Sequence, residues 1–196
     1  TYSQTIYTAA QIGHAGTIGS IAFRSSSTTS ILDTLSTIYL AHTTKTYATS
    51  TTDWVPQSDL VLVRRGSLQH SGSGWETITF DTPFNYNGRD NIVVAISSHR
   101  ATYNSSLYYY YTSTTTGATT YRYGSSYDYG EHPGTNAATN RSAYLPNIQF
   151  NFCDEPIACP DVDAVTAELY GDSVTQMRVS WPTAQGDYLS GYELKI

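Results

Sequence analysis

Any acid–base or nucleophilic chemistry in this chain would rest on five histidines, His14, His42, His70, His99 and His132, and on a short set of carboxylates. Up to residue 152 the carboxylates are Asp33, Asp53, Asp59, Glu76, Asp81, Asp90, Asp128 and Glu131. A histidine beside a nucleophile would support hydrolysis, and two facing carboxylates would support glycoside cleavage. Neither pattern is written in the sequence: it contains no G-x-S-x-G, H-E-x-x-H or phosphate-loop spacing. The acidic residues fall mostly in turn-like stretches, where a carboxylate is solvated or caps a backbone N–H. His14, with Gly13 and Gly16 around it, reads as a turn residue, and His42 as the end of a strand. No catalytic residue is expected, so the catalytic part of any parent enzyme would lie outside this chain. No cofactor is expected beyond a structural Ca²⁺ held by loop carboxylates, with Asp81, Asp90 and Asp128 as weak candidates that no EF-hand spacing supports.

The residue types favour a different chemistry, contact through aromatic rings. The chain has 18 tyrosines. A Tyr ring offers an apolar face and a polar tip, which suits both sugar rings and protein interfaces. Tyr108, Tyr109, Tyr110 and Tyr111 are consecutive, so a strand would point two of them to each face. A second cluster runs Tyr121-Arg122-Tyr123 and then Tyr127-Asp128-Tyr129, with Glu131 and His132 close behind. The candidate ligand-binding set is Tyr109, Tyr111, Tyr121, Arg122, Tyr123, Tyr127, Asp128, Tyr129 and His132. The alternative use of the same tyrosines is cross-strand pairing on a half-buried face.

Strands are the elements that would position these rings. Thr and Tyr favour strands, and their hydroxyls keep a sheet surface wet without charge. Only 13% of the residues are charged, about half the usual share. Strands are expected near residues 5–10, 16–23, 36–42, 60–66, 75–80, 91–97, 106–113, 119–123 and 147–152. In the fifth, Trp75, Thr77 and Thr79 take one face and Glu76, Ile78 and Phe80 the other. Residues 91–97 are nearly all apolar and should be central. The expected core holds Ile21, Phe23, Ile38, Leu40, Val61, Ile78, Phe80, Ile92, Val94, Ile96, Ile148 and Phe150. The long polar loop 43–59, with Trp54 and Pro56 inside it, is either functional or ordered by its own packing. Short strands at this spacing point to an all-β chain, an antiparallel jelly-roll-like sandwich. The net charge of −6 argues against nucleic acid, which needs a basic stripe. No apolar run approaches the ~20 residues of a spanning helix.

Four stretches carry a family likeness: residues 3–12, 17–23, 75–88 and 91–95. Through them, residues 2–152 resemble the β-sandwich modules found beside fibronectin type III repeats in large secreted surface proteins of Bacteroidota. Residues 165–170, 177–181 and 191–196 resemble the first three strands of a fibronectin type III domain, which needs seven. The expected organisation is a sandwich at 1–152, a linker at 153–160 and a partial fibronectin type III unit at 161–196. Cys153 and Cys159 lie in or beside that linker, too few for a closed zinc site and too far apart for C-x-x-C. A disulfide closing a small loop is preferred over free thiols. The resemblance implies secretion, display on the cell surface and further domains of the same polypeptide. It also marks Asp33-Thr34-Leu35 and Asp172-Ser173-Val174 as short acceptors for O-glycosylation, at Thr34 and Ser173. Asn104 and Asn140 match the N-glycan pattern, relevant only in a eukaryotic secretory pathway.

Three functions remain open. The first is a non-catalytic extracellular adhesion or structural module with a surface protein as partner. The second is a carbohydrate-binding module that uses the Tyr-rich surface to hold a glycan. The third is an accessory domain of a secreted hydrolase. Exposed, coplanar Tyr rings would favour the second, and a shared pocket of His and carboxylate the third. An unfinished second sandwich would also leave open strand edges, which suit self-assembly.

Overall fold

The computed structural model describes residues 1–100, 106–126, 131–153, 166–169 and 177–180. The chain divides into two compact units, Thr1–Asp154 and Glu155–Ile196. In the first, the strands run β1 (Tyr2–Tyr7), β2 (Gly16–Ser25), β3 (Ile31–Thr43), β4 (Val61–His70), β5 (Gly74–Tyr86), β6 (Asn91–His99), β7 (Tyr111–Ser113), β8 (Thr119–Arg122), β9 (Asn140–Ser142), β10 (Tyr144–Pro146) and β11 (Ile148–Phe152). They form a six-stranded sheet ordered β4-β3-β6-β1-β8-β9, a three-stranded sheet β11-β2-β5 and a small ribbon β10-β7. Every pairing is antiparallel. The result is an all-β, sandwich-like unit.

One core lies between the two larger sheets. The six-stranded sheet contributes Tyr7, Ile38, Leu40, Val63, Ile92 and Val94, and the three-stranded sheet Ile18, Ile21, Phe23, Ile78, Phe80, Phe84 and Tyr86. Ile18 and Ile21 are three apart yet share this core, because a bulge between Ile18 and Ser20 shifts the phase of β2. A second core covers the opposite face of the six-stranded sheet. There Tyr2, Ile6, Ala41, Val93 and Ala95 meet Trp54, Val55 and Leu60 from the loop after β3. β6 is therefore buried on both faces, which explains its unbroken apolar run.

The loop is held down by polar contacts as well as by packing. The buried Gln4 amide donates to Val55 O at 2.9 Å and accepts from Val55 N at 2.8 Å, so one side chain satisfies a whole backbone unit. Trp54 Nε1 donates to Asn136 O at 3.0 Å, and Lys45 Nζ pairs with Asp53 Oδ1 at 2.5 Å. Of the two roles the sequence left open for this loop, ordering by its own packing is the one these contacts describe.

Several local expectations need correction. β1 stops at Tyr7, and the short helix α1 (Ala9–Ile12) follows. Thr8 N–H donates to Gln11 Oε1 at 2.8 Å, the return half of a Thr-x-x-Gln capping box. The segment expected as one strand at 106–113 is a strand only at Tyr111–Ser113. Its first part is instead hooked to the end of β2 and the residues just after it: Ser25 bridges Tyr109, and Tyr108 N–H donates to Ser27 Oγ at 2.7 Å. Val61, assigned to the core, begins the edge strand β4 and is 47% exposed, while Val63 takes the buried place. Asn87-Gly88 forms a tight turn: Gly88 has φ 70° and Asn87 Oδ1 accepts from Arg89 N and Asp90 N. Asn91 ties β6 to its neighbours, accepting from Ala9 N and donating to Lys45 O.

In the second unit, β12 (Thr166–Leu169) pairs antiparallel with β13 (Met177–Ser180). The third strand expected at 191–196 lies outside the described residues.

Candidate functional site

Two places in the first unit concentrate functional side chains. One is the outward face of the three-stranded sheet. Register sets three cross-strand rows there. Arg24 lies opposite Trp75, Ala22 lies between Thr77 and Gln149, and Ser20 lies between Thr79 and Asn151. Tyr110 joins the first row, because its N–H donates to Arg24 O at 2.9 Å. The Arg24 guanidinium carbon stands 4.6 Å from the Tyr110 ring centroid, a cation–π contact. Trp75 is 45% exposed, Tyr110 48% and Tyr108, two residues earlier, 61%. Thr77, Thr79 and Gln149 are exposed too, and Asn151 Nδ2 donates to Ser20 Oγ at 3.0 Å. Trp75 also borders a shallow cleft of about 410 Å³ that includes Thr112 and Asn147. An aromatic row thus sits beside rows of hydroxyls and carboxamides.

The other place is the interior, at one end of the sandwich, where both sheets contribute charge. Asp33 of β3, His70 at the end of β4 and Ser98 of β6 meet Glu76 of β5 and Tyr109, and Arg100 follows directly after β6. His70 Nε2 lies 3.3 Å from Asp33 Oδ2 and its Nδ1 3.1 Å from Glu76 Oε2. Each ring nitrogen faces a carboxylate acceptor, an arrangement that favours the doubly protonated imidazole. Burial alone would lower the His70 pKa, but its hydrogen bonds to Asp33 and Glu76 outweigh that and raise it. Asp33 Oδ1 pairs with Arg100 Nε, and Oδ2 accepts from Ser98 Oγ at 2.6 Å. Burial pushes the Asp33 carboxyl up, yet these bonds to His70, Arg100 and Ser98 bring it down to about 2. Glu76 Oε1 accepts from Ser71 N and Gly72 N.

This cluster is the shared pocket of His and carboxylate that would favour hydrolysis, and its polar groups are engaged with one another. Each ring nitrogen and carboxylate oxygen in it already has a partner within the cluster or on the nearby backbone, and Ser98 bonds Asp33 rather than His70. Asp33 and Glu76 lie on opposite sides of the imidazole and share no centre for a cation. Among the described residues, no group of three or more His, Cys, Asp or Glu is arranged to hold a metal ion.

The structure separates the residues expected to form one Tyr-rich surface. Tyr109 turns inward, with its hydroxyl 3.1 Å from His70 Nδ1 and its ring 5.7 Å from that of Phe23, and burial raises its pKa. Tyr111 is exposed and leans on Tyr144 at 4.2 Å. Tyr121 and Tyr123 stack at 6.1 Å and 25° on β8 and just beyond it, with Arg122 between them in sequence. His132 braces the long loop: its Nε2 donates to Val55 O at 2.9 Å and its ring meets Tyr2 edge-on. Tyr127, Asp128 and Tyr129 lie outside the described residues. Asp81 of β5 accepts from Arg65 N of β4, and Asp90 accepts from the Asn87 amide of its own turn.

Cys153 is exposed and follows β11, with its N–H on Thr17 O, while Cys159 lies outside the described residues. Thr34 is exposed and donates to His99 O at 3.1 Å, whereas Asp33 of the same tripeptide is buried; Ser173 lies outside the described residues. No helix among the described residues is long and apolar enough to cross a membrane.

Sequence reasoning singled out neither Arg24 with Trp75 nor the Asp33–His70–Glu76–Arg100 cluster. Part of the signal was there: Glu76 alternates in phase with Ile78 and Phe80, which places a carboxylate on the core face. No protein-family model, curated protein or solved structure matches this chain.

Proposed function

We propose that this chain is a non-catalytic module of a secreted, cell-surface protein, and that it adheres by binding carbohydrate on the outer face of its three-stranded sheet. The observation that carries the reading is the exposed Trp75–Arg24–Tyr110 row, set beside rows in which Thr77, Thr79 and Gln149 are exposed. Aromatic faces take the C–H face of a pyranose ring, and Thr, Gln and Asn side chains take its hydroxyls. Tyr110 is held in place by Arg24, so little rotamer freedom is lost on binding. The non-catalytic part of the reading draws on the mutual pairing of Asp33, His70, Glu76 and Arg100 in the interior cluster. Placement beside a fibronectin type III domain is supported by the antiparallel β12–β13 pair, and a Cys153–Cys159 disulfide belongs to the same reading.

A glycan array probed with the whole chain tests it, alongside Trp75→Ala and Tyr110→Ala variants. Each ring is expected to contribute about 1 kcal/mol, so the double variant should lose at least about tenfold in affinity while its urea midpoint stays within error. A blank array, or glycan binding indifferent to both substitutions, overturns the proposal and leaves a protein partner as the object of adhesion.

A further inference from the structure

Beneath the charged cluster lies a cavity of about 310 Å³, at the small end of ligand sites. Phe23, Leu68, Ile78, Val94 and Ile96 give it an apolar wall, and Tyr109 and Arg100 stand at its polar end. The hydrogen-bond inventory of that end is one-sided. Asp33 and Glu76 spend all their oxygens on His70, Ser98, Arg100 Nε and two backbone N–H groups. With a carboxylate facing each ring nitrogen of His70, its Nδ1–H points at both Glu76 and the Tyr109 oxygen. The Tyr109 O–H hydrogen is therefore free to donate elsewhere, as are the two Nη groups of Arg100, which have no partner among the described residues. The two carboxylates are matched by one imidazolium and one guanidinium, so no net negative charge repels an anion. What remains is a set of unused donors, one of them cationic, over an apolar chamber.

We propose that this cavity binds a small amphipathic carboxylate, with the alkyl body against Phe23, Ile78 and Val94 and the carboxylate accepting from Tyr109 Oη–H and Arg100 Nη. At roughly 30 Å³ for each water-sized group, the space takes about ten non-hydrogen atoms. The site is independent of the outer aromatic row and of any glycan. It lets the module hold a short fatty acid, or another aliphatic acid of that size, inside the sandwich.

Octanoate is the probe, titrated into the whole chain by calorimetry and by methyl NMR, with 1-octanol as the uncharged analogue of equal chain length. Octanoate should bind one to one, at least tenfold tighter than 1-octanol, and shift the methyls of Ile78, Val94 and Ile96. Tyr109→Phe keeps the ring and removes only the donor, and it should weaken octanoate about tenfold while leaving 1-octanol unchanged. Arg100→Lys keeps a cation beside Asp33 but loses the spare Nη donors, and it should weaken octanoate similarly. Equal affinity for acid and alcohol, no saturable octanoate binding, shifts confined to residues outside the cavity, or a Tyr109→Phe protein of unchanged urea midpoint that binds octanoate as tightly as wild type would each overturn the assignment.

Discussion

Replacing Asp33 with Asn keeps the shape of the side chain and removes the charge on which Arg100, His70 and Ser98 converge. Two routes bound the cost. A carboxyl brought from its ordinary 3.8 to about 2 contributes about 2.5 kcal/mol at neutral pH. Removing one partner of a buried ion pair costs roughly 3–5 kcal/mol when the other charge is left stranded. Here the stranding is partial, because His70 can shed its proton and the Arg100 side chain is 23% exposed. A loss of about 2–4 kcal/mol follows. For a unit of this size that is a fall in Tm of roughly 5–15 °C. The sign with pH is fixed as well. Asp33 has a depressed folded pKa, so its contribution is present above its ordinary value and is lost as pH falls through about 2. Urea unfolding followed by near-UV circular dichroism at pH 6, 4 and 2.5 reads both quantities. The gap between wild type and Asp33→Asn should be full at pH 6, nearly full at pH 4 and clearly narrower at pH 2.5. A gap below about 0.5 kcal/mol at pH 6, or one that does not change with pH, would refute the account of the cluster.

Other outcomes follow from the same geometry. His42 Nε2 accepts from Asn87 N–H, and burial lowers its pKa, whereas His70 is raised. His42 thus contributes stability above about 6.5 that is lost as pH falls, and His70 contributes below about 6.5 and is lost as pH rises through its raised value. Histidine Cε1–H titrations by NMR should show the two midpoints on opposite sides of 6.5. Gln4→Ala leaves the Val55 N–H without its partner, while Val55 O keeps His132 Nε2, at a cost of about 1–3 kcal/mol for the one orphaned group. Limited proteolysis should then cut between residues 44 and 60 sooner than in wild type. Gly117 has φ 100°, and a Cβ there would lie 2.1 Å from Ala48 O. Gly117→Ala should therefore destabilise by more than about 1 kcal/mol in urea unfolding and loosen the same loop.

Period-two alternation made much of the sandwich legible. Ile78 and Phe80 in β5, Ile92 and Val94 in β6, and Ile21 and Phe23 in β2 all sit in the core where the pattern placed them. The centrality of β6 was legible for the same reason, since a strand buried on both faces has no polar side to show. The charged cluster was harder to see because it depends on register between distant segments. Asp33, His70, Glu76 and Arg100 meet only once β3 pairs with β4 and β6 and the second sheet closes over them. A register shift in β3 between Asp33 and Ser36 obscures the local phase further. The tyrosines misled because composition gives their number but not their direction. Of the four consecutive rings, Tyr109 turns inward, while Tyr108 and Tyr110 stay out once Ser25 and Ser27 have pinned the segment. Trp75 was placed on the outward face of its strand, but nothing local says that Arg24 and Tyr110 would line up with it.

The position of β1 bears on the order in which the chain assembles. It is the first strand in sequence, yet it lies inside the six-stranded sheet, and both neighbours come from far along the chain: Tyr2 pairs with Ser97 on one side and with Arg122 on the other. The three-stranded sheet likewise waits for its C-terminal strand, since Phe23 meets Ile148. Closing such long loops before any contact rewards them is the slow step in folding. As the chain is made, its N-terminal strand must stay unpaired through more than half of the unit, and β8 completes its surroundings only near the end. A polypeptide cut short before residue 119 would therefore leave Tyr2–Tyr7 as a sheet edge, a ready template for another copy.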